Sequence, residues 1–405
     1  MIYREALAWL FGTQLFGIKL GLDNIRRLLN ALQVPAPEQR VIHVAGTNGK
    51  GSVCAMIDSI ARAGGYSTGL FTSPHLVTFR ERIQANGVMI SETEVARGLT
   101  TIRDLVREWE PHPTFFEIAT ALGLLHFREA RCEIVVLETG LGGRLDATNA
   151  VTPIASVLTP IDFDHQKWLG STLEEIASEK AGIIKRGMPV VSAAQLPAAE
   201  AVVRRTAAER AAPLEIVARE YDASPVGLTG GHQARNAALA LAALRAAGIS
   251  VAPAAVRQGL ANVRWPARFQ RYDERITIDG AHNPAGARAL AQTWRETFGG
   301  ERAAVVLAIL SDKDAADVIA PLLPIASRFL LPQARTARAL PPADLATLIR
   351  RADPAATIDI FPDLATALAA VAQEPRVLIT GSLHFAGEVL ALLRGEVDEL
   401  EDCLQ

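Results

Sequence analysis

The stretch Val41-Ile42-His43-Val44-Ala45-Gly46-Thr47-Asn48-Gly49-Lys50-Gly51-Ser52 constrains the fold more than any other part of the chain. Val41 to Val44 is a short apolar run that reads as a buried strand. Gly46 to Gly49 follows as a turn that needs permissive backbone angles. Val53, Met56, Ile57 and Ile60 then recur at helical spacing until Gly64-Gly65 stops the helix. A strand, a glycine turn and a helix start together aim bare N–H groups and a positive dipole end at phosphate. Lys50 adds a point charge near the β- and γ-phosphates. The common spacing G-x-x-x-x-G-K-[ST] does not fit: Val44 stands at its first glycine, and Gly51 separates Lys50 from Ser52. A plain glycine-rich βα turn is the alternative, but a lysine framed by Gly49 and Gly51 at a helix start favours a nucleotide-binding loop.

At 405 residues the chain exceeds one hydrophobic core, so two domains are expected. A net charge of −3 gives no electrostatic case for nucleic acid as the main partner. Cys54, Cys132 and Cys403 are far apart and form no C-x-x-C pair, which argues for a reducing compartment. No apolar run approaches membrane-spanning length and Met1 to Glu5 is no secretion signal, so a cytoplasmic location is expected.

Apolar residues of the prefix 1–33, including Leu7, Leu10, Ile18, Leu22, Ile25 and Leu28-Leu29, recur at helical spacing until Pro35 and Pro37 break it. After the loop helix, residues 67–71 read as a strand running into Thr72-Ser73-Pro74-His75. Helices are expected at 92–109 and from Phe115-Phe116-Glu117 through Phe127. Ile134 to Leu137 forms a strand capped by Glu138. Many buried strands end on an acid, but this one resembles the arrangement that delivers a carboxylate to Mg²⁺. The segment after it, Thr139 to Asn149, has three glycines with Arg144 and Asp146, as suits a loop that approaches a ligand closely.

Ile154 to Leu158 is a further strand, ending in Thr159-Pro160-Ile161-Asp162-Phe163-Asp164-His165. Strand ends on one side of a parallel sheet are where such folds bind ligands. The residues alone leave His165 open between a metal ligand and a lone surface histidine. Ser171 and Glu174 read as a capping box for the helix carrying Glu179 and Lys180. A strand at 188–193, a helix at 197–210, a loop at 221–231 and helices at 233–247 and 253–261 complete the first half. The linker is placed near Trp265-Pro266.

The second half alternates strands (275–279, 303–309, 327–331, 357–361, 376–380) with helices (284–298, 314–323, 341–351, 363–372, 383–394). Repeated βα units imply a mainly parallel sheet covered on both faces. Asp279 and His282, in Asp279-Gly280-Ala281-His282-Asn283-Pro284, are poor core residues and good ligand-facing ones.

With these residues in view, the chain resembles the folylpolyglutamate synthase and dihydrofolate synthase family of ATP-dependent amide ligases, relatives of the Mur ligases. The similarity runs through almost the whole chain. It implies a P-loop Mur-ligase-type ATPase domain over 1–266, with a short helical prefix, and a smaller Rossmann-like α/β glutamate ligase domain over 267–405. Gly46, Thr47, Asn48, Gly49, Lys50, Gly51 and Ser52 look like the family's phosphate loop. Phe71-Thr72-Ser73-Pro74-His75-Leu76 is similar to the loop whose serine helps hold Mg²⁺. Leu137 to Asn149 resembles its most distinctive segment, with Glu138 as a metal ligand and Asp146 near the pterin pocket, where Phe116 is also implied. Asp164-His165 and Glu179-Lys180-Ala181-Gly182 match too. The resemblance implies His165 on a second Mg²⁺, beside a carbamylated Lys180. Asn236, in the block Gly231 to Ala237, and Arg268, Asp279 and His282 are implied ATP contacts. Ser382 and His384 lie in a segment linked to glutamate binding. Three features depart from the family: Ala267 replaces the usual glycine, the 214–231 segment is short, and His384 stands where an aromatic residue is common.

The implied chemistry is phosphorylation of a carboxylate by ATP and capture of the acyl phosphate by the amine of L-glutamate. Dihydropteroate, a reduced folate or both are the implied acceptors. Lys50, Glu138, His165 and Lys180 carry the catalytic expectation. Domain closure about a hinge at 262–270 would exclude water from the acyl phosphate. A Mur-type peptidoglycan ligase is the nearest rival, but only 45 residues precede Gly46, too few for its uridine-nucleotide domain. A non-catalytic ATP-binding relative is the other, and retention of Glu138, His165, Lys180 and His282 together speaks against it. A monomer is the expected state.

Overall fold

The computed structural model describes residues 1–16 and 21–401, so Ile18 and Cys403 lie outside the described residues. Packing divides the chain into two compact units. One comprises Met1–Ser73, Arg80–Val226 and Ala234–Val263; the other takes Pro74–Phe79, Gly227–Gln233 and the chain from Arg264 on.

The first unit is built on eight strands: β1 (Arg40–Ala45), β2 (Thr68–Phe71), β3 (Ile83–Ala85), β4 (Val88–Met89), β5 (Ile134–Glu138), β6 (Ala155–Leu158), β7 (Val190–Ala193) and β8 (Leu214–Val217). Their order is β4-β3-β2-β5-β1-β6-β7-β8. From β2 to β8 every pairing is parallel, and β3 and β4 are added antiparallel at one edge. β5 is buried along its whole length and β1 along all but Arg40, as expected of central strands covered on both faces. The edge strand β8 is half-exposed and too short for its periodicity to stand out in the sequence. The β3–β4 hairpin turns on Asn86-Gly87, both at positive φ (54° and 77°), which suits a two-residue turn matching strand twist.

Several sequence expectations shift, among them the helix expected at 314–323, which spans only Ala315–Ile319. The prefix 1–33 is two helices, Tyr3–Gly12 and Asp23–Leu32, with a 3-10 turn at Thr13–Phe16 between them. The Thr13 hydroxyl donates to the Leu10 carbonyl at 2.6 Å and helps close the first helix. The expected helix at 92–109 ends at Val106. The capping box on the helix Leu173–Ala181 is Thr172 with Glu175, one residue beyond Ser171 and Glu174. Glu175 accepts from the backbone N–H of both Ser171 and Thr172, at 2.8 and 3.0 Å, and this fixes the register.

The second unit holds β9 (Gln270–Arg271), β10 (Ile276–Ile278), β11 (Ala303–Leu307), β12 (Ala326–Pro332), β13 (Ile358–Phe361) and β14 (Val377–Thr380), in the order β13-β12-β11-β14-β10-β9. All pair in parallel except β9. Alternate residues of β11 serve two cores. Val305 and Leu307 pack with Leu290, Trp294 and Ile349, while Ala304 and Val306 pack with Ile379, Phe385 and Val389. Helices therefore cover both faces, as a doubly wound sheet requires.

Pro74–Phe79 joins this unit through side chains: Val77 is buried in the second of those cores and Leu76 packs against it. Glu401 ties the segment down. Its N–H donates to the Val77 carbonyl at 2.9 Å, and its carboxylate accepts from Phe79 N–H at 2.5 Å and the Thr78 hydroxyl at 3.2 Å. Gly387, on the helix Leu383–Arg394, leaves room for the same segment, since a Cβ there would sit 2.0 Å from the Leu76 carbonyl oxygen. Backbone cannot swing aside as a side-chain tip can. Gly387→Ala is expected to lower stability by about 2 kcal/mol, read from urea unfolding midpoints. Among the described residues no helix is long and apolar enough to cross a membrane.

Candidate active site

The loops after β1, β5 and β6 leave neighbouring strand ends in the first sheet. From β1 the chain crosses to β2 on one side, and after β5 it moves to β6 on the other. A crevice opens where connections diverge in this way.

The loop after β1 is set by close approaches. Gly46 has φ +146°, and a Cβ there would fall 1.9 Å from the Thr159 hydroxyl oxygen. Gly49, at φ 87°, is the N-cap of the helix Lys50–Ala63, and its bare Cα faces Asn236, whose Oδ1 would lie 2.9 Å from a Cβ. The amides of Thr47 and Asn48 both donate to the Pro160 carbonyl, at 3.0 and 3.2 Å, and the Thr47 hydroxyl donates to the Asp162 carbonyl at 2.9 Å. The amides left open by this loop therefore belong to the first helical turn. The first intrahelical bond runs from Val53 N–H to Gly49 O, so the amides of Lys50, Gly51 and Ser52 have no carbonyl within the helix. Lys50 Nζ rests on the Thr47 carbonyl at 3.2 Å.

Lys180 reaches the same loop from the last turn of the helix Leu173–Ala181. Its Nζ is buried and donates to the Gly46 carbonyl at 2.8 Å. Burial first, and then the charge of Lys50, pushes its ammonium down to about 7, while Asp164 and Asp146 oppose the shift. The Ser73 N–H donates to the Glu138 carboxylate at 3.2 Å, and the Ser73 hydroxyl oxygen is buried with no hydrogen-bond partner. Asp164 accepts from His165 N–H at 2.8 Å. His165 itself, at φ 51°, keeps 39% of its side chain exposed, with Nε2 3.8 Å from the Asp164 carboxylate.

The loop after Glu138 folds around Asp146. One carboxylate oxygen accepts from the amides of Gly140 and Leu141, each at 2.9 Å, and the other from the N–H and hydroxyl of Thr148 at 3.0 and 2.5 Å. Burial raises this carboxyl above its ordinary range against those bonds. Gly140 is bare because the Phe116 ring lies on it, 2.6 Å from where a Cβ would be.

In the second unit, the half-buried Asp279 carboxylate accepts from Phe269 N–H at 2.7 Å and Ala281 N–H at 2.8 Å. Burial raises it, and Arg268 pulls the other way. His282 Nδ1 donates to the Gly280 carbonyl at 2.8 Å, and Arg268 Nη1 would lie 3.0 Å from a Cβ on Gly280. Arg268, Asp279 and His282 thus share one loop pair. Ala267 adopts φ 54°, the left-handed conformation that glycine takes most readily. The Ser382 hydroxyl accepts from Phe385 N–H at 3.0 Å and caps the helix on which the half-buried His384 sits in the first turn.

Sequence reasoning missed Thr159, Pro160 and Asp162 as shapers of the phosphate loop. Their position at a strand end beside β1 was the available signal. A cavity of about 480 Å³ bounded by Arg26, Val34, Val41 and Val151 lies at the other end of β1, away from these groups.

A phosphate loop on one parallel sheet, with a second α/β unit following it, defines the class: an ATP-dependent ligase of the Mur type. Residues 44–218 match the Mur ligase middle domain, and residues 267–383 match the Mur ligase glutamate ligase domain. The chain is 37% identical to the Bacillus subtilis dihydrofolate synthase/folylpolyglutamate synthase, over 97% of this chain and 99% of that one. An Escherichia coli structure in complex with DHPP and ADP superposes with a TM-score of 0.85 at 32% identity, covering 96% of this chain and 98% of that one. A bifunctional folylpolyglutamate synthase/dihydrofolate synthase from Yersinia pestis, complexed with AMPPNP and Mn ion, gives 0.87 at 30%, covering 97% and 98%. The chain belongs to the folylpolyglutamate synthase and dihydrofolate synthase family.

Proposed function

We propose that this enzyme joins L-glutamate both to dihydropteroate and to the γ-carboxylate of a reduced folate, through an acyl phosphate made with ATP. The observation that carries this reading is the convergence of Lys50, Lys180 and the helix N-terminus on one phosphate-sized turn, in a chain whose near-full-length relatives bear both enzyme names. Phosphoryl transfer asks the protein mainly for positioning and charge neutralisation. Lys50 and the amides of residues 50–52 hold the triphosphate, with Asn236 packed against Gly49 to fix the loop. Arg268, Asp279 and His282 are the second unit's nucleotide contacts. Phe116 and Asp146 shape the acceptor's site, and Ser382 and His384 lie at the glutamate end.

A divalent cation fits at Ser73 and Glu138, where a buried hydroxyl oxygen without a partner adjoins a buried carboxylate. Among the described residues no three His, Cys, Asp or Glu side chains converge on a metal site. Mg²⁺ suits such a place because it takes few protein ligands and fills the rest with phosphate oxygens and water. When bound, the cation neutralises charge between the β- and γ-oxygens. A second ion held by Glu138, His165 and a carbamylated Lys180 belongs to the same reading. In its support, burial lowers Lys180 to about 7, which supplies the neutral amine that a carbamate needs.

The deciding experiment offers purified protein either dihydropteroate or tetrahydrofolate, each with glutamate and MgATP, and follows ADP release. Release with both acceptors is expected. Release with one alone removes the bifunctional assignment, and release with neither overturns the reading. Ser73→Ala is expected to raise the Mg²⁺ concentration for half-maximal rate about tenfold, since one of few protein ligands is lost. The check is a metal titration of that rate.

A further inference from the structure

His43 lies in the middle of β1, three residues before the phosphate loop, and no step of the chemistry above uses it. It is buried and faces the loop after β5. Its Nε2 lies 2.7 Å from the Thr148 hydroxyl oxygen. That hydroxyl in turn lies 2.5 Å from the Asp146 carboxylate. The direction of the chain follows from the acceptor at its end. A carboxylate has no proton to give, so Thr148 donates to Asp146. The Thr148 oxygen is then left to accept, and His43 Nε2 must carry the proton. The other ring nitrogen, Nδ1, is buried with no partner. A proton there would strand a buried donor, which costs more than an idle acceptor. Burial and the Lys185 charge push the imidazole down to about 3, so the ring is neutral near pH 7.

We propose that His43 is a positioning residue for the loop Thr139–Asn149: through Thr148 it holds Asp146 in the orientation that ties down Gly140 and Leu141. Asp146 gathers four bonds from its own loop, so its direction decides the loop's shape. The far end of the loop has a separate anchor. Lys185 donates to the Asn149 carbonyl at 2.7 Å, and the Asn149 amide donates to the carbonyls of Arg144 and Gly182. At the near end Thr139 N–H donates to the Val44 carbonyl at 2.9 Å, and beyond it Gly140 and Leu141 are held by Asp146, which His43 supports from the sheet. That end matters because it follows Glu138 directly and carries Gly140, on which the Phe116 ring lies. This inference rests on the acceptor reading above in one respect: a loop held less firmly there changes acceptor binding and leaves the phosphate loop alone. A plain core histidine would affect stability only.

The test compares His43→Leu, which removes the donor at similar volume, with His43→Gln, whose side-chain amide can still donate. In His43→Leu the amide protons of Gly140 and Leu141 are expected to exchange with solvent about tenfold faster. The acceptor KM is expected to rise about tenfold while the ATP KM stays within about twofold. His43→Gln is expected to recover both to within about threefold of the unaltered protein. In the unaltered protein, ¹⁵N NMR is expected to show the Nε2–H tautomer, which also serves if a variant fails to fold. Unchanged exchange at Gly140 and Leu141 in His43→Leu, equal changes in both KM values, or an Nδ1–H ring would overturn the proposal. If the unaltered protein ligates no folate-type acid, the acceptor reading fails, and the exchange and NMR results still decide the role of His43.

Discussion

Gly46→Ala is expected to bind ATP about a hundredfold more weakly than the unaltered protein and to lose ligation in proportion, although it adds one methyl group. The new Cβ would fall 1.9 Å from the Thr159 hydroxyl oxygen and 3.0 Å from the Thr159 carbonyl oxygen, at a φ of +146° that alanine rarely adopts. Turning the hydroxyl away leaves the backbone contact and the dihedral strain, so the loop itself must move. Overpacking of this kind costs about 1–3 kcal/mol, and a hundredfold loss corresponds to about 2.7 kcal/mol. The displacement also carries off the carbonyl that Lys180 holds at 2.8 Å, so the Lys180 side chain is misplaced with it. Isothermal titration with AMPPNP measures the affinity, and circular dichroism checks that the protein remains folded. Adding Thr159→Ala relieves the worst contact and is expected to restore part of the affinity. Full affinity in Gly46→Ala alone would show that the loop is softer than its geometry implies.

The same loop shows what a sequence discloses. Gly46, Gly49 and Lys50 were legible because a strand, a turn and a helix start are encoded by near neighbours. Thr159, Pro160 and Asp162 were not, because they meet the loop across β6, more than a hundred residues along the chain. Asp146 was singled out correctly as a loop acid, yet residue type cannot tell whether a carboxylate faces a ligand or its own backbone. The structure gives both its oxygens to Gly140, Leu141 and Thr148. Ser171-x-x-Glu174 and Thr172-x-x-Glu175 overlap as equally good capping boxes, and only the bonds to Glu175 choose between them. The hairpin at Asn86-Gly87 had a usable signal in that dipeptide, but its strands of three and two residues are too short for an alternating pattern. The repeated βα units of the second half were plain because each strand and helix carries its own period. Assignment of Pro74–Phe79 to that half was hidden, since it depends on Val77, Gly387 and Glu401, which only the fold brings together.

Acidification is expected to weaken the protein through His43, and the sign follows from proton counting. In the folded chain the imidazole stays neutral down to about pH 3, whereas in the unfolded chain it takes up a proton near its ordinary value of 6.5. Above pH 6.5 neither state binds the proton, so stability does not depend on this group. Between pH 6.5 and 3 the unfolded state binds more protons, and stability falls as pH falls. Each unit is worth 1.36 kcal/mol, so the loss at pH 4 is roughly 3 kcal/mol. His126, lowered mainly by burial, acts in the same direction, while the raised carboxyls of Asp146 and Asp279 act in the opposite one. Subtracting His43→Gln from the unaltered protein removes these shared contributions, because glutamine has no proton to gain. Urea unfolding at pH 7 and pH 4 should therefore show the unaltered protein losing roughly 3 kcal/mol more than His43→Gln. Equal losses in the two proteins would mean that His43 takes up its proton in the folded state, although that would leave a charged Nδ1–H buried with no acceptor.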